Sequence, residues 1–254
     1  SKWRVFMKAF AHCPPETLRR LKGVFTDIDD TLTTDGRVPA KAYAAMENLQ
    51  HQGILVVPIT GRPAGWCDAI ARIWPVDGVV GENGAFYFRY DCENRKMIRH
   101  FADSEETRKQ NAERLRKVAA QILAEVPGAA ISADQGYRET DIAIDFCEDV
   151  PALPRESVDK IVEIMQAAGV TAKVSSIHVN GWFGQYDKMT MARLFSADCL
   201  GVDLDAHETE FLFTGDSPND GPMFGYFSNS VGVANVRDFE DQLDTPPKFV
   251  TENR

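Results

Sequence analysis

The chain has 254 residues, 44% of them hydrophobic and 26% charged, with a formal net charge of −10. That is an ordinary globular composition, with length enough for one large domain or two modest ones. It argues against a duplex-binding protein, which needs a basic stripe, and against a membrane-spanning one, because apolar runs such as Ile54–Ile59 fall far short of the ~18 residues a bilayer requires. Lys8 interrupts the only apolar stretch near the N-terminus, so no secretory signal is expected. Cys13, Cys67, Cys92, Cys147 and Cys199 form no CxxC pair, which speaks against a zinc site or disulfide framework and for a reducing, cytoplasmic compartment.

Residues 1–22 read as an irregular or helical lead-in, with Pro14-Pro15-Glu16 opening a short helix that ends near Arg20. Gly23–Asp30 is a buried strand running into an acidic loop. Tyr43, Met46 and Leu49 share one face of a helix over Ala40–Gln52, which Gly53 stops. Ile54–Ile59 predicts a second strand, ending at Thr60-Gly61-Arg62; a helix over Ala64–Ile73 and a strand over Gly78–Gly81 follow. Strands apolar throughout and alternating with helices indicate a parallel sheet covered on both faces. The pattern then changes. Phe86–Tyr90 and Lys96–Phe101 read as paired strands, followed by a charged helical stretch over Ala102–Val126 and strands at Ala129–Ala133 and Asp141–Phe146. A helix over Glu156–Ala168 and strands at Thr171–Ser175 and Ile177–Phe183 repeat that order, αββ-αββ, as a separate α+β module with an antiparallel sheet. After Tyr186 the alternation resumes: helix Lys188–Cys199, strand Glu210–Thr214, helix Gly221–Tyr226, then short strands Val231–Ala234 and Lys248–Thr251. The fold class is therefore α/β, a Rossmann-like parallel-sheet core over residues 1–84 and 184–254 with an inserted α+β domain at 85–183.

Four short segments fall at the C-terminal ends of predicted core strands, where open α/β sheets place their ligand sites. Asp27-Ile28-Asp29-Asp30-Thr31 crowds three carboxylates into four positions, which repel one another unless a cation or proton compensates. The pattern suits either a solvated acidic turn or a nucleophile at Asp27 with a general acid/base at Asp29. Thr60 offers a hydroxyl to an anion or caps the helix that follows. Lys188 opens a helix against its dipole, so its placement wants another reason. Gly215-Asp216-Ser217-Pro218-Asn219-Asp220 suits an Asx/Pro turn and brings two more carboxylates to the same sheet edge.

In this order, each at a strand end, the segments resemble the four motifs of the haloacid dehalogenase superfamily of aspartate-dependent phosphotransferases. Asp27–Thr31 matches the first, Thr60 the second, Lys188 the third and Gly215–Asp220 the fourth; the resemblance covers essentially the whole chain. The insert lies between the second and third motifs, where the family's type II caps sit. Its αββ-αββ order, with Glu82-Asn83-Gly84-Ala85 and Val231–Ala234, is similar to subclass IIB, which includes sucrose-phosphate, trehalose-phosphate and mannosyl-phosphoglycerate phosphatases. Asp30 departs from the Gly of many relatives.

The resemblance implies a Mg²⁺-dependent phosphatase acting on a small phosphorylated metabolite, a sugar phosphate, through an aspartyl-phosphate. Asp27 would attack phosphorus, Asp29 would protonate the leaving alcohol and then activate water, and Thr60, Lys188 and Asn219 would hold the phosphoryl oxygens. The carboxylates of Asp27 and Asp216 and the carbonyl of Asp29 would bind Mg²⁺, with Asp220 orienting a water or Lys188. Net acidity is no obstacle, because one bound Mg²⁺ reverses the local field. Arg138 and His178 in the insert, and Arg62 and Asn83 near its hinge, are candidates for substrate contact. No nucleic acid or membrane partner is implied, and the chain would act as a monomer or small homo-oligomer. The alternatives are a phosphomannomutase-like sugar phosphomutase, which shares the four motifs, and a non-catalytic binding protein, whose sign would be a lost Asp27, Asp29 or Asp216; all three are present.

Overall fold

The computed structural model describes residues 7–254; residues 1–6, the first part of the expected lead-in, lie outside the described residues. In chain order the strands are β1 Lys8–Ala9, β2 Gly23–Thr26, β3 Leu55–Pro58, β4 Val79–Gly81, β5 Phe86–Asp91, β6 Lys96–Phe101, β7 Ala130–Ile131, β8 Asp141–Asp145, β9 Thr171–Val174, β10 His178–Trp182, β11 Phe211–Gly215, β12 Ser230–Gly232 and β13 Phe249–Val250. The helices are α1 Pro15–Arg19, α2 Ala40–His51, α3 Ala64–Ile73, α4 Glu105–Glu125, α5 Arg155–Ala167, α6 Lys188–Phe195, α7 Leu204–His207 and α8 Gly221–Tyr226.

An all-parallel sheet in the order β1-β13-β12-β11-β2-β3 forms the α/β core that the sequence led us to expect. Its central strands are apolar because both faces are covered: Phe25 of β2 packs 5.5 Å from the ring of Phe211 and 5.6 Å from that of Phe227. One expectation for the lead-in is corrected. Lys8 and Ala9 form an edge strand paired with Phe249 and Val250, a stretch too short to show any periodicity.

β4 continues the core beyond β3 through a parallel bridge between Ile59 and Val80, then pairs antiparallel with the β5–β6 hairpin. That hairpin, counted with the insert in the sequence, buries Phe86 and Phe88 among Ala64, Cys67 and Ile70 of α3. The remainder of the insert is the αββ-αββ layer: an antiparallel sheet β7-β8-β10-β9 with α4 and α5 packed on one face. Period-two alternation turns Ile142, Ile144 and Val179 toward Leu115, Ile122, Ile161 and Met165 of those helices. Asp141, Asp145, His178 and Asn180 therefore occupy the opposite face. Among the described residues no helix is long and apolar enough to cross a membrane.

Candidate active site

Parallel pairing aligns the strand ends. Thr26 of β2 sits opposite Thr214 of β11 on one side and Pro58 of β3 on the other, so the residues that follow each strand emerge along one edge. One oxygen from each of Asp27, Asp216 and Asp220 lies within 4.8 Å of the others there. Asp187 caps α6 by accepting the Thr190 N–H at 2.7 Å, which sets Lys188 in the first turn. The Lys188 Nζ ends 3.6 Å from Asp27 Oδ1 and 3.8 Å from Asp220 Oδ1. Asp220 folds back over the chain, its Oδ2 accepting the N–H groups of Asp216 and Ser217 at 2.9 and 3.3 Å. Only glycine permits this at position 215, where a Cβ would stand 2.5 Å from Asp220 Oδ2.

Three carboxylates face one ammonium. Burial, then the neighbouring Asp220, pushes the Asp27 carboxyl well above its ordinary range, with Lys188 only partly offsetting them. Asp216 is pushed up to about 9, by burial and then by Asp27. Burial works against the Lys188 ammonium, but Asp27, Asp220 and Asp216 outweigh it and hold its pKa above the ordinary value. The buried Asp220 Oδ1 has no hydrogen-bond partner. A cluster of hard oxygen donors short of positive charge, with one acceptor unsatisfied, fits a divalent cation such as Mg²⁺.

Asp29 is engaged by Arg62, which donates from Nε at 3.1 and 2.9 Å to its two oxygens and from Nη2 at 2.9 Å. Arg62 also reaches Asp134 and Glu148 of the insert and stacks 4.4 Å from the ring of Trp66. Thr60 is fully buried at its strand end, its Oγ1 accepting the Arg62 N–H at 3.0 Å. A small cavity of about 30 Å³ is lined by Asp27, Asp29, Arg62, Asn83, Arg138 and His178, together with Asn180, Lys188, Asp216 and Asn219. Thr60 and Asp220 do not line it. Residues of both the core and the insert line this cavity.

Two insert candidates for substrate contact line this cavity and are already partnered. Arg138, in the loop before β8, has a side chain 1% exposed and spends its donors on Asp134, Asp141 and the Gly61 carbonyl. His178 is buried as well, with Nε2 2.7 Å from Glu148 Oε2. Three residues were given no individual role from the sequence, Glu82 being quoted only within the Glu82–Ala85 segment. Glu82, fully buried at the hinge, accepts the N–H groups of Ala64 at 2.8 Å and Thr140 at 2.8 Å and the Thr140 hydroxyl at 2.8 Å, tying α3 to the insert. Its signals are an acid directly after an apolar strand and its place in the Glu82–Ala85 segment. Asn235 donates from Nδ2 to the Asp30 carbonyl and to Asp216 Oδ2, both at 3.1 Å, bridging two loops of the acidic cluster. Glu148 carries no local signal.

Residues 24–141 match the family model of haloacid dehalogenase-like hydrolases. No match was found among curated proteins. Similar solved structures include a Thermoplasma acidophilum protein, 19% identical, with 92% of each chain covered and a TM-score of 0.68. A HAD/COF-like hydrolase from Plasmodium vivax is 17% identical, with 94% of this chain and 93% of that one covered and a TM-score of 0.66. The subclass IIB sugar phosphatase BT4131 is 16% identical, with 91% of this chain and 93% of that one covered and a TM-score of 0.60. At such identities the structural likeness is one of fold; together with the family match over 24–141, it bears out the resemblance to the haloacid dehalogenase superfamily read from the sequence.

Proposed function

We propose that the protein is a Mg²⁺-dependent phosphatase of small phosphorylated metabolites, sugar phosphates above all, working through an aspartyl-phosphate on Asp27. The observation that carries this reading is the meeting of Asp27, Asp216 and Asp220 with Lys188 at one end of a cavity that the insert covers. Residues 1–84 and 184–254 would be the catalytic core and 85–183 the cap.

The Asp27 and Asp216 carboxylates and the Asp29 carbonyl would hold the cation, with Asp220 beside them. When bound, Mg²⁺ supplies the positive charge that favours ionised carboxylates and draws an anionic phosphoryl group toward them. Asp27 would be the nucleophile because it directly follows β2 with Lys188 against one oxygen. Lys188 and Asn219, which line the cavity, would hold the equatorial oxygens as charge spreads over them, with Thr60 buried behind them at its strand end. Asp29 would give a proton to the leaving oxygen and take one from the water that frees the enzyme. Asn83, Lys188 and Asn219 also border a roomier cavity of about 330 Å³, walled by Lys173, Trp182, Tyr186 and Met189, which is in the size range of small-metabolite sites.

The test is phosphate release from a panel of sugar phosphates, with Mg²⁺ and with excess chelator. Wild type is expected to release inorganic phosphate only with the metal, and Asp27→Asn to release none. Turnover by Asp27→Asn at the wild-type rate sinks the assignment, and interconversion of hexose phosphate isomers without phosphate release would make the protein a mutase instead.

A further inference from the structure

Strand pairing fixes which side chains of the insert share a face. Trp182 of β10 stands opposite Thr171 of β9, and Asn180 opposite Lys173, so period-two alternation puts all four on the side of the sheet away from α4 and α5. Thr171, Lys173 and Trp182 line the cavity of about 330 Å³, whose core side includes Lys188 and Asn219. Those two also line the small cavity at the acidic cluster, so the larger one begins where a phosphoryl group would be held. Trp182 and Tyr186 stack as its wall, with ring centroids 6.0 Å apart and planes 12° from parallel.

The charges around this cavity are partnered, with one exception. Lys188 faces Asp27 and Asp220 at 3.6 and 3.8 Å. Asp187, the one carboxylate among the lining residues, accepts the Thr190 N–H at 2.7 Å. Elsewhere on the same face of the sheet, Asp141 receives Arg138 at 3.0 Å and His178 meets Glu148 at 2.7 Å. The Lys173 ammonium has no hydrogen bond or ion pair among the described residues. In a chain of net charge −10, which repels anions at large, an ammonium set at a cavity without a carboxylate of its own is a place where an anion gains. We infer that Lys173 is a specificity-determining residue: it binds a second anionic group, carried on the alcohol part of the phosphate ester, while Lys188 and Asn219 hold the phosphoryl group. The substrates are then sugar-derived phosphates bearing a further carboxylate or phosphate. This rests on the phosphatase reading. Lys173 contacts the remote end of the substrate and no reacting atom.

Matched substrates separate this role from that of a lysine that merely faces water. Phosphate release with Mg²⁺ is compared for 6-phosphogluconate against sorbitol 6-phosphate, which differ by a carboxylate, and for glucose 1,6-bisphosphate against its two monophosphates. Wild type is expected to favour the more anionic substrate of at least one set by about tenfold or more in kcat/KM, the order that a hydrogen bond between charged groups supplies. The set that shows the preference identifies the second anion as carboxylate or phosphate. Lys173→Met should bring the ratio to within about threefold of unity by removing that bond, and Lys173→Arg, which keeps the charge, should preserve it. Lys173 is exposed on an edge strand, so neither variant strands a buried partner. No preference in either set, or a preference that survives Lys173→Met, would overturn the inference and leave the phosphatase reading standing. Release of phosphate from none of these esters, nor from the wider sugar phosphate panel, would sink the phosphatase reading and the inference with it.

Discussion

Arg138→Met distinguishes a residue that holds the protein closed from one that waits for substrate. The side chain donates to Asp134 at 3.0 and 3.1 Å, to both Asp141 oxygens at 3.0 Å and to the Gly61 carbonyl at 2.9 Å, so it ties insert to core. Methionine keeps most of the length and removes the charge. Asp134 would keep Ser132 Oγ at 2.6 Å and Arg62 Nη1 at 3.2 Å. Asp141 would be left with Asn180 Nδ2 at 3.3 Å. One buried carboxylate is stranded rather than two. Breaking a buried pair costs ~3–5 kcal/mol, and the partners that remain favour the lower end, about 3 kcal/mol. At ~2–4 °C per kcal/mol for a chain of this size, Tm should fall by about 6–12 °C. Thermal unfolding by calorimetry measures this, with KM for a sugar phosphate determined well below both transitions. A fall in Tm under about 3 °C accompanied by a large rise in KM would refute the reasoning and return Arg138 to the substrate, because a stranded buried charge always costs stability.

Asn235→Ala should weaken Mg²⁺ binding, read by titration calorimetry, by about 10–100-fold, the usual cost of losing a group that orients a metal ligand; unchanged affinity would show that Asp216 needs no such brace. Glu82 gives a pH signature. Burial, and then Asp141, push its pKa from 4.5 to about 8, so between those values the folded chain holds the proton more tightly than the unfolded one and stability falls as pH rises. The stability advantage of wild type over Glu82→Gln should therefore shrink across that window in denaturant titrations, and a constant gap would contradict the shift. Gly84 adopts φ +102°, and a Cβ there would stand 2.1 Å from the Asp187 carbonyl oxygen and 2.7 Å from the Lys188 nitrogen. Gly84→Ala should displace the start of α6 and cut kcat by at least about tenfold, since small misplacements of catalytic groups are costly; wild-type kcat would mean that this turn is softer than its geometry implies.

Much of the acidic sheet edge was legible locally. Asp27, Thr60 and Asp216 each follow an apolar run, and apolar runs alternating with helices give parallel strands whose C-terminal ends share an edge. The inserted layer was legible for a similar reason, since αββ-αββ patterning needs only period-two and helical periodicities. What patterning leaves open is partnership over distance. Alternation puts His178 and Asn180 on one face of β10, but does not say that this face meets the core. Arg62 finds Glu148 86 positions away, and Asn235 finds the Asp30 carbonyl 205 positions away. Those pairings depend on how two separately cored layers close on each other, and no local spacing records it. Periodicity reports which face of an element is apolar; the electrostatics of a closed site belong to the docking of those faces, which only the assembled chain decides.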